Sequence, residues 1–499
     1  MRDVPSLRSR STIALASHRG FTVVPDRIVR VSGNSDHPRL RTRVKGLDRL
    51  LDGGLLAGDA YLVAGDPGTG KTTLGNQLAF QHAAAGETAV IFMLQTEPHE
   101  WMLAHLGGFD FIQPELLNKR IHYVSLLRQL ETDGLSGVLQ SIQGVVRDHD
   151  ASLIVLDGAG LTDVSSASAV GYGRFVRDLQ ARASMLNCTS VLLSSRPAQP
   201  LLSPHVDGVI ELFFEPVESR DTRWIRVAKQ RGSHHLDGRH QFSIDRHGIT
   251  VFPRLESISD VVAPPWLDSG QRMSTGVEGL DQMLGGGLIE GSTNAVFGTP
   301  GIGKTLLSLQ YLGMGASEGG TGLHVTFHEP ADVLRATSDR FGLPIGELLR
   351  SGNVRVKVDS ALDRSPDDWA WSVLEIVDEL HPRRLTIDTY SDVARMFIYP
   401  SRQTSFGVAF STELRKRNVT TLVNLEFGAS FGQPHESPAP SISRMIDSGI
   451  WMRPVGQTSE IRRMISVLKH RQSWFDSTIR QFTIEQCGIV IGNRLDAVE

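Results

Sequence analysis

Short apolar or β-branched runs at positions 60–64, 89–94, 153–156 and 190–193 alternate with longer stretches of helical pattern, such as 72–85 and 173–187. That alternation predicts an α/β class, each domain a mainly parallel twisted sheet flanked by helices. Runs such as Val191-Leu192-Leu193 fall far short of the ~18 apolar residues that cross a bilayer, so no membrane span is expected.

The pattern also repeats. Gly46-Leu47-Asp48-Arg49-Leu50-Leu51-Asp52-Gly53-Gly54-Leu55 returns as Gly279-Leu280-Asp281-Gln282-Met283-Leu284-Gly285-Gly286-Gly287-Leu288, an offset of 233 residues. Further on, the run ending at Asp157 pairs with the run ending at Asp388 at an offset of 231, and Lys229-Gln230-Arg231 pairs with Lys469-His470-Arg471 at 240. Both halves close alike, on Phe242-Ser243-Ile244-Asp245 and Phe482-Thr483-Ile484-Glu485. The chain is thus a tandem duplication of a unit of about 230 residues, the repeat length setting the architecture. The predicted organisation is an N-terminal extension over 1–42, a first domain over 43–253, a linker over 254–271 containing Pro264 and Pro265, and a second domain over 272–499.

Each half carries G-x-x-x-x-G-K-[ST] after an apolar run and before a helical one, as Gly65-Asp66-Pro67-Gly68-Thr69-Gly70-Lys71-Thr72 and Gly298-Thr299-Pro300-Gly301-Ile302-Gly303-Lys304-Thr305. The glycines let backbone N–H groups turn toward phosphate oxygens at a helix N-terminus. Lys71 and Lys304 are placed to reach the β- and γ-phosphates of ATP, and the Thr72 and Thr305 hydroxyls to ligate Mg²⁺. Predicted nucleotide contacts also include Thr69 and Thr73, and Ile302 and Leu306. Asp157 and Asp388 end strand-like runs 86 and 84 residues beyond the two lysines, where a carboxylate holds the Mg²⁺ shell.

Hydrolysis needs a further carboxylate at the end of an adjacent strand. Glu329, in Phe327-His328-Glu329-Pro330, meets that need in the second half; anchoring on the prolines sets Glu97, in Gln95-Thr96-Glu97-Pro98, opposite it in the first. The paired cations Lys229 and Arg231, and Lys469 and Arg471, lie late in each half and could stabilise charge on the γ-phosphate of a neighbouring subunit.

Composition narrows the field. The balance of 51 Lys and Arg against 55 Asp and Glu, net charge −4, weighs against a nucleic-acid binder, although ten of the basic residues fall in the first 45 positions. Two cysteines, Cys188 and Cys487, offer neither a disulfide framework nor a zinc site and fit a reducing cytoplasm. Glycine stands at 49 of 499 against a usual ~7%, and part of that excess sits in the phosphate loops and Gly-Gly-Leu entries.

The paired entries, phosphate loops, Asp-ended strands and Lys-x-Arg segments resemble the KaiC family of RecA-like ATPases from about Arg43 to Ile491. The resemblance implies two tandem RecA-like P-loop domains, a double-ring homohexamer binding ATP between subunits, slow hydrolysis and serine/threonine autophosphorylation in the second ring. Regulation through a protein partner is implied as well. The family's paired catalytic glutamates align with Thr96-Glu97 and His328-Glu329, so each half keeps only the second acid. Its Ser-Thr phosphorylation pair falls on Ser443-Arg444, leaving Ser443 as the candidate. Two other readings stay open: a RecA-like DNA-dependent motor, and a nucleotide-gated scaffold with little turnover.

Overall fold

The computed structural model describes residues 37–94, 106–158, 169–195, 199–217, 220–258, 270–361, 364–426, 443–457 and 460–494. Glu97, Ser441 and the prolines of the predicted linker lie outside these residues, as does nearly all of the N-terminal extension.

The first half begins with a small antiparallel pair, β1 (Arg39–Leu40) and β2 (Leu55–Leu56). It continues through β3 (Ala60–Gly65), β4 (Ala89–Met93), β5 (Ile121–Ser125), β6 (Leu153–Asp157), β7 (Thr189–Ser194), β8 (Gly208–Val217), β9 (Arg220–Gln230), β10 (His240–Asp245) and β11 (Gly248–Phe252). The second half repeats the series. It has the pair β12 (Arg272–Met273) and β13 (Leu288–Ile289), then β14 (Thr293–Gly298), β15 (Gly322–Thr326), β16 (Val354–Val358) and β17 (Arg384–Asp388). After these come β18 (Thr420–Glu426), β19 (Ser448–Gln457), β20 (Glu460–His470), β21 (Arg480–Glu485) and β22 (Gly488–Arg494).

Each half is a nine-stranded sheet of the same order, β11-β10-β9-β8-β3-β7-β6-β4-β5 in the first and β22-β21-β20-β19-β14-β18-β17-β15-β16 in the second. Six neighbouring strands run parallel, and the last three turn back as antiparallel strands at one edge. Helices cover both faces, which is why the central strands read as continuous apolar runs. Tyr61, Val63, Ile91 and Val155 enter one core layer of the first half, while their neighbours Leu62, Val90, Phe92 and Ile154 enter the other. The correspondence extends to irregularities: a register shift follows Val209 in β8 and Gly449 in β19. The Gly-Gly-Leu entries also have a steric cause. A Cβ on Gly54 would lie 2.5 Å from the Leu40 carbonyl oxygen, and one on Gly287 2.6 Å from that of Met273, both at left-handed φ. No helix among the described residues is long and apolar enough to cross a membrane.

The first residues after β11 belong physically to the second half. Leu255, in the short helix Leu255–Ile258, is fully buried in the second-half core, and Trp371 Nε1 donates to the Pro253 carbonyl at 2.8 Å. Arg402 Nε and Nη2 donate to Glu256 at 2.7 and 2.9 Å, and Nη2 also reaches both oxygens of Asp367 at 3.0 and 3.1 Å. Asp367 is entirely buried, and burial pushes its carboxyl up to about 6 against the pull of Arg402. Replacing Arg402 strands two carboxylates in low dielectric, which typically costs about 3–5 kcal/mol. A raised carboxyl makes the folded chain bind more protons than the unfolded one, so stability recovers as pH falls through that range. Arg402→Ala is therefore expected to lower the thermal midpoint strongly at pH 8 and less at pH 5, as followed by calorimetry.

Candidate functional site

The two phosphate loops fold alike at the C-terminal ends of β3 and β14. Gly70 and Gly303 take left-handed φ of 104° and 119° and open the helices Lys71–Ala84 and Lys304–Ser317. Their first N–H groups therefore have no intrahelical partner and face the loop concavity. Lys71 Nζ donates to the carbonyls of Gly65 and Asp66 at 2.8 and 2.9 Å; Lys304 Nζ does the same to Gly298 and Thr299 at 2.9 and 3.0 Å. Burial lowers both lysines from their usual value, with Asp157 opposing this for Lys71 and Glu426 and Asp388 for Lys304.

Sequence-distant partners converge at each loop. The Thr72 hydroxyl donates to Asp157 Oδ2 at 2.9 Å, and the Thr305 hydroxyl to Asp388 Oδ2 at 2.6 Å. Asp157 ends β6 and Asp388 ends β17, and parallel pairing brings both to the loop side of the sheet. A hydroxyl and a carboxylate at a helix N-terminus are hard oxygen donors that suit Mg²⁺. The side chains of Thr69, Ile302 and Leu306 are buried, Thr69 Oγ1 donating inward to the Asp66 carbonyl at 2.8 Å. Thr73 is half-buried in the same helix.

Glu329 lies just past β15, beside β17. Its N–H donates to Thr326 Oγ1 at 3.2 Å, and its carboxyl is raised by burial and by Asp388, with His328 opposing. Such a shift moves a carboxylate toward the range useful to a general base.

The Lys-x-Arg pairs lie elsewhere. Lys229 pairs with Val209, and Arg231 N–H donates to Asp207, whose own N–H bonds Ala60 at the start of β3. Arg471, Asp447 and Thr293 repeat this at the start of β14. Five strand residues then separate each arginine from its own phosphate loop, roughly 17 Å at ~3.3 Å per residue. Lys229 Nζ donates to the Ser203 and Val206 carbonyls at 2.8 and 2.6 Å; Lys469 Nζ donates to those of Ser443 and Ile446 at 2.8 and 2.9 Å. Burial, then the neighbouring arginine, lowers both lysines. Arg471 Nη2 also reaches the Ser443 carbonyl, at 3.4 Å. Ser443 and the second Lys-x-Arg pair thus share one end of the sheet.

Sequence reasoning missed Arg223, whose Nη1 donates to the Gly68 carbonyl at 2.8 Å, so the first loop is braced from β9. The available signal was its recurrence as Arg463, again at an offset of 240.

A model of the KaiC ATPase family matches residues 40–256 and again residues 273–496. The chain belongs to the KaiC family. It is 28% identical over 473 residues to a circadian clock oscillator protein KaiC from Picosynechococcus sp., covering 91% of this chain and 89% of that relative. A circadian clock protein KaiC3 from Synechocystis sp. is 27% identical over 477 residues, covering 91% and 92%. KaiC-family membership and the two nine-stranded sheets bear out the expectation of two tandem RecA-like P-loop domains.

The loop geometry is demanding where β14 ends. A Cβ on Gly298 would lie 2.8 Å from the Met452 carbonyl oxygen and 2.8 Å from Ile302 Cγ2. Gly298→Ala should displace the loop and weaken nucleotide binding by the second half at least ~10-fold, about 1.4 kcal/mol. A fluorescent-nucleotide titration in a Lys71→Ala background measures it.

Proposed function

We propose that this chain is an ATP hydrolase whose active sites form between copies of itself in a ring, with Ser443 as an autophosphorylation site in the second half. The observation that carries this reading is the separation of parts: each phosphate loop lies at one end of its sheet and the Lys-x-Arg pair at the other. A γ-phosphate on a subunit's own loop is out of reach of its own pair, so a complete site needs a neighbour's cations. The family's double-ring homohexamer supplies that arrangement, and we take it as the assembly. The units would span 43–253 and 272–499, joined by 254–271.

In the second half, Lys304 and the loop N–H groups hold the phosphates, while Thr305 and Asp388 hold Mg²⁺; Thr72, Asp157 and Lys71 take those parts in the first. The metal when bound neutralises phosphate charge. Glu329 takes the proton from the attacking water as its oxygen bonds the γ-phosphorus and the bond to the β–γ bridging oxygen breaks, releasing ADP. When the Ser443 hydroxyl of an adjacent copy replaces water, the same exchange gives phosphoserine and ADP. Lys469 and Arg471 steady the transferred group, and their bonds to the Ser443 carbonyl put that serine beside it. Lys229, Arg231 and Glu97 fill the matching roles in the first half. Relatives named as circadian clock proteins support a regulatory role; a cytoplasmic location and a regulatory protein partner complete the proposal.

Glu329→Gln should slow ATP turnover by roughly 100-fold while ATP binding is kept, since it removes only the base. Phosphate release in a Lys71→Ala background measures it, and unchanged turnover would leave Glu329 without this role. Subunit mixing tests the shared site: Lys304→Ala and Arg471→Ala chains, each slow alone in that background, should regain activity together when reassembled. Mass spectrometry after incubation with Mg·ATP should find phosphate on Ser443 and none on the Glu329→Gln chain.

A further inference from the structure

The second half holds a side-chain pair beside the turn that carries Glu329. His328 Nε2 lies 3.0 Å from Asp392 Oδ2, the imidazole two-thirds exposed and the carboxylate almost wholly buried. The same carboxylate accepts from the Thr389 hydroxyl at 3.1 Å and from Arg395 Nη1 at 2.9 Å, so its orientation is fixed from three sides. Asp392 sits in the helix Tyr390–Arg395, which starts two residues after Asp388. His328 is therefore tied to the segment that follows the second-half Mg²⁺ carboxylate.

The turn carrying Glu329 is held on one side by Phe327, which packs against the second-half core with its ring centroid 6.3 Å from that of Trp369, and its remaining polar holds are long. His328 and Glu329 N–H groups share the Thr326 hydroxyl at 3.4 and 3.2 Å, and Phe327 N–H reaches the Asp388 carbonyl at 3.2 Å. A single hydroxyl shared by two donors at such lengths is a weak anchor. The bond from His328 to Asp392 adds an imidazole–carboxylate tie across two neighbouring strand ends. In the sequence, the offset that pairs Asp157 with Asp388 sets Leu161 opposite Asp392 and Val164 opposite Arg395. Either alignment of the acid-bearing segment sets Gln95 or Thr96 opposite His328. At these offsets the first half has no imidazole opposite His328 and an apolar residue opposite both Asp392 and Arg395.

We propose that His328 is a positioning residue for the second-half reaction: its bond to Asp392 fixes the turn that aims Glu329 at the phosphate cradle. The inference rests on the reading of Glu329 as the base. It gives the two halves different means of holding that turn, and predicts that only the second depends on an imidazole.

The test uses the full-length chain in the Lys71→Ala background, so that turnover reports the second half. His328→Ala, at an exposed position, should lower kcat about 10-fold while KM for ATP changes less than twofold and the thermal midpoint holds. His328→Gln, which keeps an N–H donor toward Asp392, should recover most of that rate. Asp392→Asn combined with His328→Ala should be no slower than the worse single variant, as for two groups in one contact. In nucleotide-free protein, amide exchange at 328 and 329 should quicken in His328→Ala. An unchanged kcat, additive losses, no advantage of Gln over Ala, or unchanged exchange would each overturn the proposal. If Glu329→Gln leaves turnover unchanged, the underlying reading fails; if Glu329→Gln is slow and His328→Ala is not, only the positioning role fails.

Discussion

A parallel strand has two ends with different neighbours, and in both halves that polarity governs what the chain can do. β3 and β14 end in a phosphate loop and begin beside Asp207 and Asp447, whose carbonyls hold Arg231 and Arg471. Because an extended residue advances ~3.3 Å, five strand positions put cation and cradle too far apart for one side chain to bridge. In the function proposed above, it is this length that calls for a neighbour's cations at each phosphate loop. Ser443 falls at the cation end for the same reason, since the segment feeding β19 must start where β14 starts.

The halves are joined through charge as well as chain. Leu255 and Pro253 follow the last strand of the first half yet pack on the second, and Glu256 shares Arg402 with the buried Asp367. Arg402 follows the helix that begins just past Asp388 by only a few residues. A buried pair of this kind contributes little net stability compared with apolar packing, but it tolerates the loss of one partner poorly. That makes it suited to fixing how the end of the first half is seated on the second.

The duplication is close in backbone and looser in chemistry. Sheet order, the register shift after Val209 and Gly449, and the lysine bonds to backbone carbonyls recur in both halves. Around the lysine, threonine and aspartate that both loops share, the contacts differ. Arg223 braces the first loop, His328 and Asp392 meet beside the turn in the second, and Glu426 stands beside Lys304 where the first half has Ser195, just past β7. Backbone registers are fixed by cores that both copies must fill, whereas polar groups at strand ends are free to diverge once each loop retains its lysine and threonine.

The sequence by itself determined the α/β class, the twofold repeat, the phosphate loops and their carboxylates, because each rests on local pattern or fixed spacing. Gly70 and Gly303 announce left-handed turns, and Asp157 and Asp388 announce strand ends, before any contact is known. It also marked Glu329 as a candidate by its place at the end of a strand-like run, and the Lys-x-Arg pairs through recurrence. Tertiary structure alone decided that those pairs lie away from their own loops, that Thr69 and Ile302 turn inward, and that His328 meets Asp392 and Arg402 meets Glu256. Those facts depend on strand order, which places β6 between β4 and β7 and so joins residues far apart in the chain. Periodicity along a sequence carries no record of which strand lies next to which, and strand ends are where the chemistry of this protein resides.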